Sequence, residues 1–306
     1  MTTNRTQEDL ASVRQGLRMA RPPDPAVLAQ ERQLLAAAAG APLATRLRTY
    51  LRLIGPGYMQ SAMTLGAGTA SAALGIAELA QPGLLKIFCT NPTNAKFVLD
   101  QFIVAKDSPL KSVADLSGKK VGCGPGVQNV TLTRAMLERA GSKNNQIIEL
   151  PIAQHVAAIA AGQVDACYTL EPTGTVGRLN GTTRNLEVGV VAKYILGDPM
   201  APWHGGSASL TSEFIQKNPE VTRRYIAAYR RGVDLVKTKP AEARPFLKGY
   251  TAIEGALTNE VPMADYLMST DFKPSDVAFF QKFFDLFHER GVFSRKVDVA
   301  AMLYKG

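Results

Sequence analysis

Hydrophobic and polar positions along this chain change rhythm once, near residue 84. Beyond that point short apolar runs alternate with segments of helical period. "LLKIFCT" (84–90) and "QFIVAKD" (101–107) predict strands, "SVADLSG" predicts a short helix closed by Gly118, and "KKVGCG" (119–124) a further strand. Residues 127–140 predict a helix ended by Gly141, "QIIELP" a strand, "AQHVAAIAAG" a helix, and "VDACYTLEP" (164–172) a strand. Strands alternating with helices imply right-handed βαβ units around a parallel sheet. From residue 211 the pattern is mostly helical, ending in "KPSDVAFFQKFFDLFHERG" (273–291). There Phe279, Phe280, Phe283, Phe284 and Phe287 repeat at the spacing of one broad helix face, which predicts a core-facing stripe. Before residue 84 no alternating or Val/Ile-rich run occurs. The alanine-rich "LLAAAAGA" (34–41) and the proline cluster "RPPDP" (21–25) predict helices broken by a turn.

Composition sharpens this picture. A chain of 306 residues, 46% hydrophobic and 20% charged, can bury a large core split between two domains. No apolar run is long and uninterrupted enough to predict a membrane span. A net charge of +9 suits anionic partners, but it is dispersed and not interleaved with aromatics, which argues against nucleic acid. Cys89, Cys123 and Cys167 form no pair with metal or redox spacing, and the three histidines are far apart, so no metal site is expected. The cysteines read as small buried strand residues. Residues 1–85 hold eight arginines and no lysine, whereas lysine and arginine mix from Lys86 onward. That seam marks a domain boundary or a change of sequence origin.

"VGCGPGVQN" (121–129) carries the most chemistry. A dinucleotide fingerprint would place a third glycine where Val127 stands, and a P-loop would need a lysine directly after Gly126, so both patterns fail. What remains is a strand, Gly124-Pro125-Gly126, and a helix whose first turn offers free N–H groups and the amides of Gln128 and Asn129. Such a helix start suits one small anionic group. A plain βα turn fits the same local sequence.

The wider segment, "FIVAKDSPLKSVADLSGKKVGCGPGVQNVTLTRAMLERAG" followed by "AAIAAGQVDACYTLEP", resembles the substrate-binding proteins of ABC importers, in the branch handling sulfonates, taurine, nitrate and thiamine-pyrimidine precursors. The likeness runs over about residues 64–306. It implies an α/β, periplasmic-binding-protein-like fold of the second type, with two lobes, parallel-dominated sheets and hinge closure on a small ligand. On that likeness "TLGAGTA" brings Thr64, Gly66, Gly68 and Thr69 to the cleft, and "TNPTN" (90–94) brings Asn91. "GPGVQN" supplies Gly126, Val127, Gln128 and Asn129. "YTLEP" supplies Tyr168 and Glu171, at the strand's carboxyl end where open α/β sheets place ligands. The Pro/Gly-rich loop "MAPWHGGSAS" (200–209) supplies Trp203 and His204; a core tryptophan and a solvated histidine are the bland alternatives for these two.

The front of the chain departs from that pattern. Residues 1–60 show neither a leader nor strands. "LRTYLRLIGPGYMQSAMTLGAGTASAAL" (47–74) resembles the start of the first membrane helix in Nramp-like metal-ion transporters, without their Asp-Pro-Gly-Asn metal motif. The chain therefore reads as a hybrid joined near "TLGAGT", with an incomplete first lobe. The expected organisation is a helical Arg/Ala-rich segment over 1–60, a partial first lobe over 61–107, a second lobe over 108–200, and a return to the first lobe with C-terminal helices over 201–306.

The resemblance implies a binding protein rather than an enzyme, with no cofactor, an anionic or pyrimidine-like small ligand, an ABC permease partner and a periplasmic or cell-surface location. Two other classes stay open. One is a pyrimidine-precursor synthase of the same fold, which consumes a lysine-bound pyridoxal phosphate and a histidine; its cysteine-rich signature is missing here. The other is a protein anchored in a membrane through residues 50–80, a window whose Gln60 and Glu78 make insertion marginal.

Overall fold

A computed structural model describes residues 67–247 and 255–306, and every structural statement below concerns those residues. Two sheets organise them. The first contains β1 (Leu85–Thr93), β7 (Trp203–Thr211) and the short β8 (Leu267–Met268), in the order β7-β1-β8. The second contains β2 (Asp100–Ala105), β3 (Lys120–Cys123), β4 (Gln146–Glu149), β5 (Ala166–Leu170) and β6 (Thr183–Val188), in the order β4-β3-β5-β2-β6.

The chain passes from the first sheet to the second between β1 and β2, and returns between β6 and β7. The two crossing segments are laced together. Ala95 N–H donates to the Pro199 carbonyl (2.9 Å), Gly189 N–H donates to the Asp100 carbonyl (2.9 Å), and the Asn94 amide donates to the Met200 carbonyl (3.2 Å). This is the α/β, two-lobed arrangement that the resemblance implies.

Two details of that expectation need correction. The parallel order holds for β3 with β4 and with β5, whereas β2 runs antiparallel to both β5 and β6, and β1 antiparallel to β7 and β8. The strand β2, within the segment expected for the partial first lobe, pairs into the second sheet. "DQFIVA" is buried along nearly its whole length, so it needs neighbours on both edges and finds them in β5 and β6.

The helix α1 (Ala67–Ala80) leads into β1, and α2 (Val127–Arg139) follows β3 directly. Its Leu132, Ala135 and Met136 are buried, and it ends at Gly141, whose φ of 81° suits a residue without a side chain. Arg139 in its last turn donates to the carbonyls of Tyr194 (3.1 Å) and Ile195 (2.8 Å), which ties the helix to the segment after β6. The long helix Pro274–Glu289 buries Phe280, Phe283, Phe284 and Phe287, as its spacing predicts, while Phe279 is half-buried. Each fully buried phenyl contributes roughly 1.5–3 kcal/mol. Cys89, Cys123 and Cys167 are buried, unpaired, and lie one each in β1, β3 and β5. Burial pushes the Cys167 thiol up to about 12, so it stays protonated and inert.

The longest missed element is β7. "WHGGSASLT" reads as a Pro/Gly-rich loop, yet it pairs with β1 along its length. Its glycine at 205 explains why: a Cβ there would fall 2.9 Å from the Trp203 indole, so the glycine makes room for a ring rather than for a turn. "TNPTN" likewise starts inside β1, which runs to Thr93, instead of following the strand.

Candidate functional site

The turn between β3 and α2 has the geometry of an open helix start. Gly126 is the N-cap residue at φ 101°, a conformation favouring glycine, and nothing would lie within 4 Å of a Cβ there. Val127, the first helical residue, is half exposed. The Gly126 N–H is already engaged: it donates to Glu149 Oε2 at 2.8 Å. Parallel pairing of β3 with β4 places Cys123 opposite Glu149, so the strand register itself delivers this carboxylate to the turn.

Gln128 and Asn129 part company. The Asn129 side chain turns inward and donates to the Pro125 carbonyl (3.1 Å), where it braces the turn. A Cβ on Gly124 would lie 2.8 Å from that same amide, which explains the second glycine of the motif. Gln128 is buried, and its Oε1 accepts the Ala72 N–H at 2.9 Å. Ala72 belongs to the helix Ala67–Ala80 that leads into β1, so the Gln128 amide spans the gap between two helix starts. Its Nε2 is buried without a hydrogen-bond partner among the described residues.

Of the residues expected from "TLGAGTA", Gly68 and Thr69 fall in the first turn of the helix Ala67–Ala80. Thr64 and Gly66 lie outside the described residues, as do most of the transporter-like stretch 47–74 and the expected helical segment 1–60. Asn91 is buried in β1 with Oδ1 unpartnered among the described residues.

Glu171 stands at the end of β5 before a cis Pro172. Its Oε1 accepts from Gln101 Nε2 (2.8 Å) and its Oε2 from the Thr175 N–H (3.1 Å), so it caps the short helix that follows. Tyr168 is buried against Phe102 at 5.6 Å between ring centroids, and burial raises its hydroxyl well above the ordinary range. Its hydroxyl has no hydrogen-bond partner among the described residues.

Trp203 and His204 also belong to packing. Trp203 is fully buried with its ring 5.8 Å from Phe283. His204 is sandwiched between Phe272 (4.9 Å) and Phe280 (5.0 Å), with Nδ1 2.9 Å from Thr90 Oγ1. Burial pushes its imidazole down to about 3, so it is neutral at physiological pH and supplies no charge to an anion. The solvated-loop reading of His204 fails because residues 203–211 form a strand.

Sequence reasoning missed Glu149, Asp100 and Gln101. Glu149 had a readable signal, since "IELP" ends β4 as "TLEP" ends β5, each placing a carboxylate at a strand's carboxyl end. Asp100 gave none. It is fully buried where the chain enters the second lobe and accepts the Val191 N–H at 2.7 Å, and burial pushes its carboxyl up to about 6. Among the described residues no His/Cys/Asp/Glu group could hold a metal ion, and no helix is long and apolar enough to cross a membrane.

Comparison with known proteins gives three results. A family described as "NMT1/THI5 like" matches residues 95–243, which span the whole second sheet and the Gly126 turn. A protein of Brucella abortus, named as a candidate binding protein, is 30% identical over 144 residues, 46% of this chain and 43% of the relative. An Escherichia coli protein, named as a candidate aliphatic sulfonates-binding protein, is 26% identical over 209 residues, 66% of this chain and 62% of that one. The chain thus spans under half the length of the Brucella relative. Among solved structures, the periplasmic aliphatic sulphonate binding protein SsuA from Escherichia coli superposes with a TM-score of 0.61 at 22% identity, covering 82% of this chain and 80% of that one. That likeness establishes the type II binding-protein fold. Nothing in these comparisons supports the metal-transporter likeness of the N-terminal stretch.

Proposed function

We propose that this chain is the substrate-binding component of an ABC importer, capturing a small organic anion between its two lobes by hinge closure. The observation that carries this reading is the turn at 124–129. It opens a helix N-terminus beside a second helix, and Gln128 bridges the two through Ala72. Backbone N–H groups and the helix dipole supply attraction for a sulfonate-sized group, since no lysine or arginine lies within the turn. The family match over this segment and the names of the relatives support a sulfonate or a related anion, with the pyrimidine-type nutrients of the same branch as the second ligand class. An ABC permease partner and a periplasmic location accompany that reading. Binding rather than catalysis fits the buried, protonated thiols, and fold alone does not decide between them.

The test is a thermal-shift screen of the purified protein against methanesulfonate, taurine, nitrate and aminopyrimidines. A ligand at a hundred times its Kd should stabilise the native state by about 2.7 kcal/mol. Gly126→Val should abolish the shift, because a β-branched residue at φ 101° is strained and its side chain fills the approach to the helix start. A full screen without any shift, or an unchanged shift in Gly126→Val with native circular dichroism, would refute the assignment.

A further inference from the structure

The anion position at the Gly126 turn is not vacant of charge. Glu149 Oε2 accepts the Gly126 N–H at 2.8 Å, and among the described residues no lysine or arginine forms a salt bridge with it. Its carboxylate is held at the turn by backbone alone. Glu149 is also exposed, so rotation of its side chain into water needs no rearrangement of the core. Two residues after Gly126, on the second residue of α2, Gln128 Nε2 is buried with no hydrogen-bond partner among the described residues. Because Gln128 Oε1 rests on the Ala72 N–H, the free amide hydrogens lie in the gap between the helix Ala67–Ala80 and α2. Among the described residues, one end of this turn thus holds a carboxylate and the helix it opens carries an amide with no acceptor.

We infer that Glu149 is an intramolecular competitor of the ligand: its carboxylate occupies the Gly126 N–H in the empty protein and must leave before an anionic ligand docks on the helix start and reaches Gln128 Nε2. The inference rests on the function proposed above and adds to it a self-blocking device. A tethered anion lowers the apparent affinity for every anionic ligand by the fraction of time it occupies the position, and a free site is bound without that loss. The same carboxylate repels a second negative charge from the turn and discriminates against weakly bound inorganic anions.

Calorimetric titration with sodium methanesulfonate tests it, on the wild type, Glu149→Gln, Glu149→Ala and Glu220→Gln. Glu220 is an exposed residue of the helix Pro219–Thr238, so its substitution makes the same change of net charge away from the turn. Removal of Glu149 should tighten binding about tenfold, or about 1.4 kcal/mol, while Glu220→Gln changes it less than twofold. Glu149→Ala should gain at least as much as Glu149→Gln, whose amide oxygen still accepts from Gly126. Binding by the Glu149 variants with a silent wild type would support the device most strongly. Equal or weaker binding in both Glu149 variants, with wild-type binding intact and native melting curves, would overturn the competitor role and leave the binding function standing. Absence of binding in every protein, with no response to taurine, nitrate or aminopyrimidines, would overturn both.

Discussion

Between pH 4 and pH 7, Asp100→Asn and His204→Asn should shift stability relative to the wild type in opposite directions. His204 has its imidazole pushed from 6.5 down to about 3 by burial. The unfolded chain takes up this proton below pH 6.5, while the folded protein refuses it until about pH 3, so His204 makes the wild type less stable as pH falls. Over this window the effect amounts to roughly 3 kcal/mol. Asp100 behaves inversely. Burial raises its carboxyl from 3.8 to about 6, so its contribution is fully present below pH 3.8 and is lost as pH rises through 6, roughly 2 kcal/mol in the same window. Relative to the wild type, Asp100→Asn should therefore gain stability as pH rises, and His204→Asn should lose it. Each variant also carries a constant cost from altered packing, which cancels when its own values at the two pH values are compared. Urea unfolding at pH 4, 5.5 and 7 measures both slopes. Parallel profiles for wild type and either variant would show that the group concerned titrates in the folded protein as it does in the unfolded chain.

The second large effect is expected at Gly189. This residue sits at φ 60°, and a Cβ built on it would lie 2.5 Å from the Ala95 nitrogen and 2.8 Å from the Asn94 carbonyl carbon. Both are backbone atoms, so no side chain can swing aside. Gly189→Ala must push one crossing segment off the other, at a cost of about 2–4 kcal/mol from overpacking together with left-handed strain. Gly181 is the control: its φ is 67°, but nothing would lie within 4 Å of a Cβ there, so Gly181→Ala should cost only about 1–2 kcal/mol. On the hinge closure proposed above, the crossing segments are the pivot, so ligand affinity should fall further in Gly189→Ala than in Gly181→Ala. Equal melting temperatures for the two variants would show that the close approach at Gly189 relaxes without strain.

Much of the second lobe was legible because its signals are local. Apolar runs, Gly118 and Gly141 at their turns, and the helix after Gly126 each announce themselves within a few residues, and the structure places those elements within a few residues of expectation. The first lobe was legible in β1 and in its helices, but not in β7. The β7 strand hides behind Gly205-Gly206 and a proline, because what makes it a strand is a partner more than a hundred residues earlier in the chain, not its own composition. The same limit applied to the site. The turn at 124–129 could be found from its glycines, but which amide faces inward depends on Pro125 and Ala72, and Glu149 reaches Gly126 only through the strand register. Trp203 and His204 were misplaced for the reason that β7 was missed: a loop and an edge of sheet present the same residues to opposite environments.

The long reach of the β1–β7 pairing has a consequence for the order of events when the chain folds. Thr93 and Trp203, adjacent in the sheet, are separated in sequence by the entire second lobe. Closing so large a loop before anything else forms gives little return on the entropy lost, whereas the second lobe assembles from contacts between near neighbours. On a ribosome adding about 5–20 residues per second, β1 would wait roughly ten seconds for its partner to emerge. During that interval Leu85, Ile87 and Phe88, all buried in the finished sheet, remain open to mispairing with other chains. Protection against hydrogen exchange during refolding should accordingly appear first at β3, β4 and β5, and only later at β1. Simultaneous protection of both sheets would mean that the lobes fold as one unit.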